Sequence, residues 1–144
     1  MKKNMFLMVM LALLLVACTG SSESSVNTNN VLTVGEKTYS AEALKALPQT
    51  KAAFNDIDYV GVALSDLLAD TGVDIGGLTA IKAVASDGYK VNYEPGILMR
   101  ADVILAYAQA DGPLTADDGT FRMVLPGEEG KLNVRDVVEI QVVP

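Results

Sequence analysis

The sequence predicts one α+β domain over residues 31–144, with a mixed β-sheet core and a few short helices. Three observations lead there. Seven short runs rich in apolar and β-branched residues are separated by turns containing Gly or Asp. Two further segments carry the capping residues and leucine spacing of short helices. No repeat or low-complexity tract interrupts the region, so these pieces have one core to share.

Residues 31–34 alternate loosely, and Gly35-Glu36-Lys37 turns the chain toward Thr38-Tyr39, which predicts a hairpin. In the following segment, SAEALKALP, Ser40 caps a helix, Glu42 suits its first turn, Leu44 and Leu47 share a face, and Pro48 stops it. LSDLLADTG predicts a second helix, capped by Ser65, with Leu67 and Leu68 inward and Gly72 in the left-handed conformation behind it.

Beyond Gly72 the signals are those of strands. Residues 81–85 and 89–93 flank Ser86-Asp87-Gly88, and Asp-Gly is a strong hairpin signal. Residues 103–107 and 121–125 are apolar runs suited to buried strands, and residues 134–143 close the chain, interrupted by Asp136 and Glu139.

The first 30 residues have a different composition. Lys2 and Lys3 precede an uncharged apolar run over residues 5–16, in the order of an export signal. Its twelve residues fall short of the about 20 needed to span a bilayer. The run ends in Leu15-Val16-Ala17-Cys18, which resembles the lipobox of bacterial lipoproteins. That resemblance implies cleavage after residue 17 and lipidation of Cys18, the only cysteine in the chain. Residues 19–30, TGSSESSVNTNN, have too little apolar surface to repay ordering and read as a tether of roughly 20 Å.

The expected location is therefore the cell envelope, outside the cytoplasm, with the membrane as a partner through Cys18. Thr19 stands where an aspartate would resemble an inner-membrane retention signal, so in a two-membrane envelope the outer membrane, facing the periplasm, is allowed. Removing Lys2 and Lys3 leaves 9 basic against 18 acidic side chains, a net charge of −9. This charge argues against nucleic acid as a partner.

The chain contains no histidine, which excludes Ser-His-Asp and Cys-His catalysis and His-ligated zinc. Ser40 and Ser65 read as helix caps rather than nucleophiles. Asp56-x-Asp58 and Asp117-Asp118-Gly119 pair carboxylates without the spacing of a calcium loop, so they read as solvated turns and no metal site is expected. Asp87-Gly88-Tyr89 reads as turn chemistry followed by a tyrosine packed on the sheet.

Five stretches taken in order carry a resemblance. They are residues 62–68 with Gly72; Ser86-Asp87-Gly88-Tyr89; Ile104-Leu105-Ala106-Tyr107 with Asp111-Gly112-Pro113-Leu114; Phe121-Arg122-Met123-Val124-Leu125-Pro126-Gly127; and residues 137–142. Together they are similar to the molybdopterin-binding domain of the sulfite oxidase family, over nearly all of residues 31–144. The resemblance implies the sulfite oxidase fold.

Enzymes of that family hold molybdenum through a cysteine on a segment that corresponds here to residues 50–59, where this chain has none. Their pterin pocket uses histidine and several arginines, and here there are only Arg100, Arg122 and Arg135. Arg122 matches a recurring family arginine ahead of Pro-Gly, and Arg135 falls where a basic residue near the cofactor is common. If the fold holds, Arg122, Lys131 and Arg135 converge at one end of the sheet and, with Tyr89, are weak candidates for a small anionic ligand. The simpler expectation is that the three cations pair with Glu128, Glu129 or Asp136.

The residues thus predict no catalytic group and no cofactor, molybdopterin being the alternative. The function expected is a non-catalytic binding or interaction module on an envelope lipoprotein. The alternative is a molybdopterin-dependent oxidoreductase, or an accessory subunit docked on an envelope redox partner.

Overall fold

The computed structural model describes residues 30–144. The expected export segment over residues 1–17, Cys18 and the expected tether as far as residue 29 lie outside the described residues. Strand β1 (Val31–Val34) and strand β2 (Lys37–Ser40) form the opening hairpin. Helix α1 (Ala41–Lys45) follows at once, and Ser40 caps it as expected by accepting from the Ala43 amide at 3.1 Å.

The next two strands were not anticipated. β3 (Gln49–Phe54) and β4 (Ile57–Ala63) pair over their whole length around Asn55 and Asp56, whose φ values of 51° and 62° are both left-handed. Two consecutive positive φ values are what a tight two-residue hairpin requires, and Asn and Asp tolerate them best after glycine. β3 is an edge strand with exposed Gln49 and Lys51, so its sequence lacks the apolar density that marks the other strands.

β4 runs directly into α2 (Leu64–Asp70), which leaves Ser65 inside the helix and corrects its expected role as a cap. The N-cap position is Ala63, with no side-chain cap; the Leu64 amide donates instead to the Val103 carbonyl at 2.9 Å. Leu67 and Leu68 are buried as expected, and Gly72 has φ 79°.

β5 (Ala80–Ala85) and β6 (Lys90–Tyr93) form the Asp-Gly hairpin, and the short α3 (Pro95–Leu98) leads to β7 (Ile104–Gln109). The two-residue β8 (Gly112–Pro113), β9 (Arg122–Val124) and β10 (Val137–Val143) complete the chain. The last strand is shorter than residues 134–143, and its register shifts between Val137 and Glu139.

Two sheets result. One has the order β2-β1-β10-β5-β6, with β10 parallel to β1 and antiparallel to β5. The other has the order β3-β4-β7-β8, with β9 also pairing β7. A main core joins Leu32, Ile81 and Ile140 of the first sheet to Val62, Leu105 and Met123 of the second, with leucines of all three helices. A smaller cluster of Ala52, Tyr59, Ile104, Ala106 and Val124 covers the opposite face of the second sheet. That sheet is buried on both faces, hence the unbroken apolar run of β7. β4 and β7 approach so closely at Gly61 that a Cβ there would collide with the Leu105 carbonyl.

Candidate functional site

The hairpin turns of both sheets open on one cavity. The β3–β4 turn contributes Phe54 and Asn55, the β5–β6 turn contributes Asp87 and Tyr89, and β9 with the loop leading to β10 supplies the remaining wall. The volume is about 400 Å³, within the range of small-molecule sites. Arg122, Lys131, Arg135 and Tyr89, the four residues singled out in the sequence, all line it.

Their environments differ sharply. Arg122 is 2% exposed, and its Nη1 donates to Asp118 Oδ1 at 2.6 Å and to the Tyr59 hydroxyl at 2.9 Å. Its guanidinium carbon lies 4.7 Å from the centre of the Tyr59 ring and 5.8 Å from that of Phe54. Burial raises the Tyr59 phenol above its ordinary value, opposed by the nearby Arg122 charge.

Arg135 is 59% exposed at its side chain, and its Nε lies 3.6 Å from the same Asp118 oxygen. Lys131 is also exposed and pairs with Glu129 at 2.7 Å, which raises the lysine above its ordinary value and lowers the carboxylate below its own. Tyr89 is 46% exposed at the mouth; its hydroxyl donates to the Lys131 carbonyl at 3.0 Å, and its amide donates to Asp87 Oδ1 at 2.9 Å. The turn chemistry expected at Asp87 is present, but Tyr89 leaves much of its ring to the cavity rather than to the sheet.

The ion pairs only partly follow the expectation. Lys131 pairs with Glu129 as foreseen, whereas Glu128 serves Arg100 at 2.7 Å and Asp136 accepts from the Ser86 hydroxyl. The partner of both Arg122 and Arg135 is Asp118, which is 3% exposed and not the solvated turn residue expected. It ends a 3-10 turn over Ala116–Asp118, capped by Thr115, and long-range backbone bonds hold it there. The Asp136 amide donates to the Asp118 carbonyl and the Val137 amide to the Phe121 carbonyl, each at 2.8 Å.

Asn133 also went unnoticed in the sequence. It is buried and ties the cavity floor together, its Oδ1 accepting from the Leu125 amide at 2.7 Å and its Nδ2 donating to the Glu129 carbonyl at 3.2 Å. Asn133 lies two residues from Lys131 and Arg135, and that spacing was the available signal.

The family model described as "Oxidoreductase molybdopterin binding domain" matches residues 13–144. The chain belongs to this family. Among solved structures, the sulfane dehydrogenase SoxCD from Paracoccus pantotrophus is similar, with a TM-score of 0.69 and 23% sequence identity. The likeness covers 78% of this chain and 38% of that one, so this chain spans well under half of that relative's length. It supports the sulfite-oxidase-like α+β fold. No curated protein sequence matches.

Membership corrects the expectation of a domain without a cofactor: the matched domain is a molybdopterin-binding one. The geometry fits the organic, anionic part of such a group. The cavity of this molybdopterin-binding domain is large enough, Lys131 and Arg135 present exposed cationic donors at its mouth, and Phe54 and Tyr89 offer ring surface. The fit does not extend to a thiolate metal ligand. The described residues contain neither Cys nor His, and among them no group of three Cys, His, Asp or Glu is placed to hold a metal.

Proposed function

We propose that the chain is a lipid-anchored protein of the cell envelope whose domain binds an anionic pterin of the molybdopterin type as a non-catalytic module. The observation that carries this reading is the convergence of Tyr89, Lys131 and Arg135 on one cavity. Arg135 and Lys131 hold the phosphate by charge-assisted hydrogen bonds, at the cost of loosening the weak exposed pair with Glu129. Tyr89 and Phe54 flank the ring system, and Asn133 keeps the floor rigid. When metal-loaded, such a pterin supplies redox chemistry. The lost metal-ligand cysteine, inferred from the resemblance across residues 50–59, is why the module is read as non-catalytic.

The lipobox-like ending at Cys18 and the tether behind it support the envelope location. Native mass spectrometry of the full chain, exported in a host that makes the cofactor and extracted in mild detergent, tests the reading. A pterin-sized added mass that disappears in Arg135→Gln supports it. A bare lipidated polypeptide overturns it.

A further inference from the structure

We propose that Asp118 sets the charge that the cavity accepts, by neutralising the guanidinium in its wall so that Arg135 and Lys131 alone meet the anion. This inference rests on the anionic-ligand reading above and deepens it.

Asp118 and Arg122 are almost wholly removed from water, with side chains 4% and 3% exposed, and lie 2.6 Å apart. A buried carboxylate in this position cannot be a solubility feature, and a charge left there alone would be strongly disfavoured. Arg122 Nη1 is occupied by Asp118 and the Tyr59 hydroxyl, and its Nε faces the Met123 carbonyl at 3.5 Å. Arg122 therefore lines the cavity with its charge balanced at 2.6 Å by the Asp118 carboxylate.

Arg135 touches the same carboxylate from the solvent side at 3.6 Å, too long for a hydrogen bond. It is held near the mouth yet is free to turn toward a ligand. Backbone bonds on either side of Asp118 fix the carboxylate between the two arginines.

With Arg122 cancelled by Asp118, the remaining charges at the cavity are Lys131, Arg135 and the opposing Asp87, with Glu129 against Lys131 at 2.7 Å. A near-neutral site of this kind suits a ligand with one phosphate group and is poorly matched to a pyrophosphate. No other described acidic residue has this arrangement: the Lys37, Arg100 and Lys131 pairs are all substantially exposed.

The test uses the full chain in nonionic detergent, titrated calorimetrically with inorganic phosphate and with pyrophosphate at low salt, with thermal unfolding as a check on folding. Arg135→Gln weakens phosphate binding about fivefold, and Asp118→Asn strengthens pyrophosphate binding about tenfold with a steeper salt dependence. The double variant Asp118→Asn/Arg122→Gln keeps a neutral hydrogen-bonded pair, and its phosphate affinity stays within about twofold of the parent. It decides the matter if Asp118→Asn alone fails to fold. Loss of phosphate binding in a folded double variant, to the extent seen for Arg135→Gln, would show that Arg122 meets the ligand and would overturn the proposal. Unchanged pyrophosphate affinity in folded Asp118→Asn overturns it equally. A parent chain that responds to neither anion removes the anionic-ligand reading itself, and this inference with it.

Discussion

Gly119 and Gly88 share a left-handed backbone, with φ of 70° and 88°, but not a neighbourhood. A Cβ on Gly88 meets nothing within 4 Å, whereas one on Gly119 collides with the side chain and Cα of Asp136. Gly88→Ala should therefore cost only its backbone term, about 1 kcal/mol, and Gly119→Ala about 3 kcal/mol or more, compared by urea unfolding. Equal losses would mean that Asp136 yields freely. Arg122→Leu strands the Asp118 carboxylate in the interior and should cost about 3–5 kcal/mol in the same assay. At this scale the sequence was legible wherever a residue acts through its neighbours in the chain. Ser40, Gly72 and Asp87 do what their local context predicts. Asp118 does not, because Asp-Asp-Gly reads as an exposed turn until backbone bonds from Asp136 and Val137 fold it under.

Between elements, a three-residue clamp fixes β2 to the end of α2. The Lys37 ammonium lies 2.5 Å from Asp70 Oδ2, and the Tyr39 hydroxyl donates to the same oxygen at 2.6 Å. These two hydrogen bonds, Lys37 first, hold the Asp70 carboxyl below its ordinary value, while the bond to Asp70 raises Lys37. A depressed carboxylate contributes stability that is complete above its unfolded value, about pH 4, and is lost as pH falls through the lower folded value. Asp70→Asn should thus lower the melting temperature at pH 7, with the two proteins converging below about pH 3, read by circular dichroism. A constant gap down to pH 2 would assign the loss to packing. The contrast between hairpins shows what makes an element readable. β5–β6 announces itself through Asp-Gly and apolar flanks, whereas β3–β4 turns on Asn55-Asp56 and presents a half-polar edge strand, so local pattern passes over it.

For the molecule as a whole, the strand order depends on pairings that no local signal encodes. β10, the last strand, lies between β1, the first, and β5, and Ile140 is completely buried there. The cavity inherits this arrangement, since the loop entering β10 carries Lys131, Asn133 and Arg135 to the turns of both sheets. The site was legible only through its ordered resemblance to a family, while composition and spacing alone left its residues scattered. Among the described residues the buried core draws on residues 32–140, and Asn30 accepts from the Thr120 hydroxyl at the edge of the domain. Cys18→Ser removes the thiol that would carry lipid and changes none of these core residues. Exported Cys18→Ser should therefore move from the membrane pellet to the soluble fraction after cell disruption, with an unfolding midpoint equal to that of the parent. Retention in the pellet after cleavage of the export segment would remove the lipid anchor from the account. A lowered midpoint would show that residues 18–29 contribute to the fold.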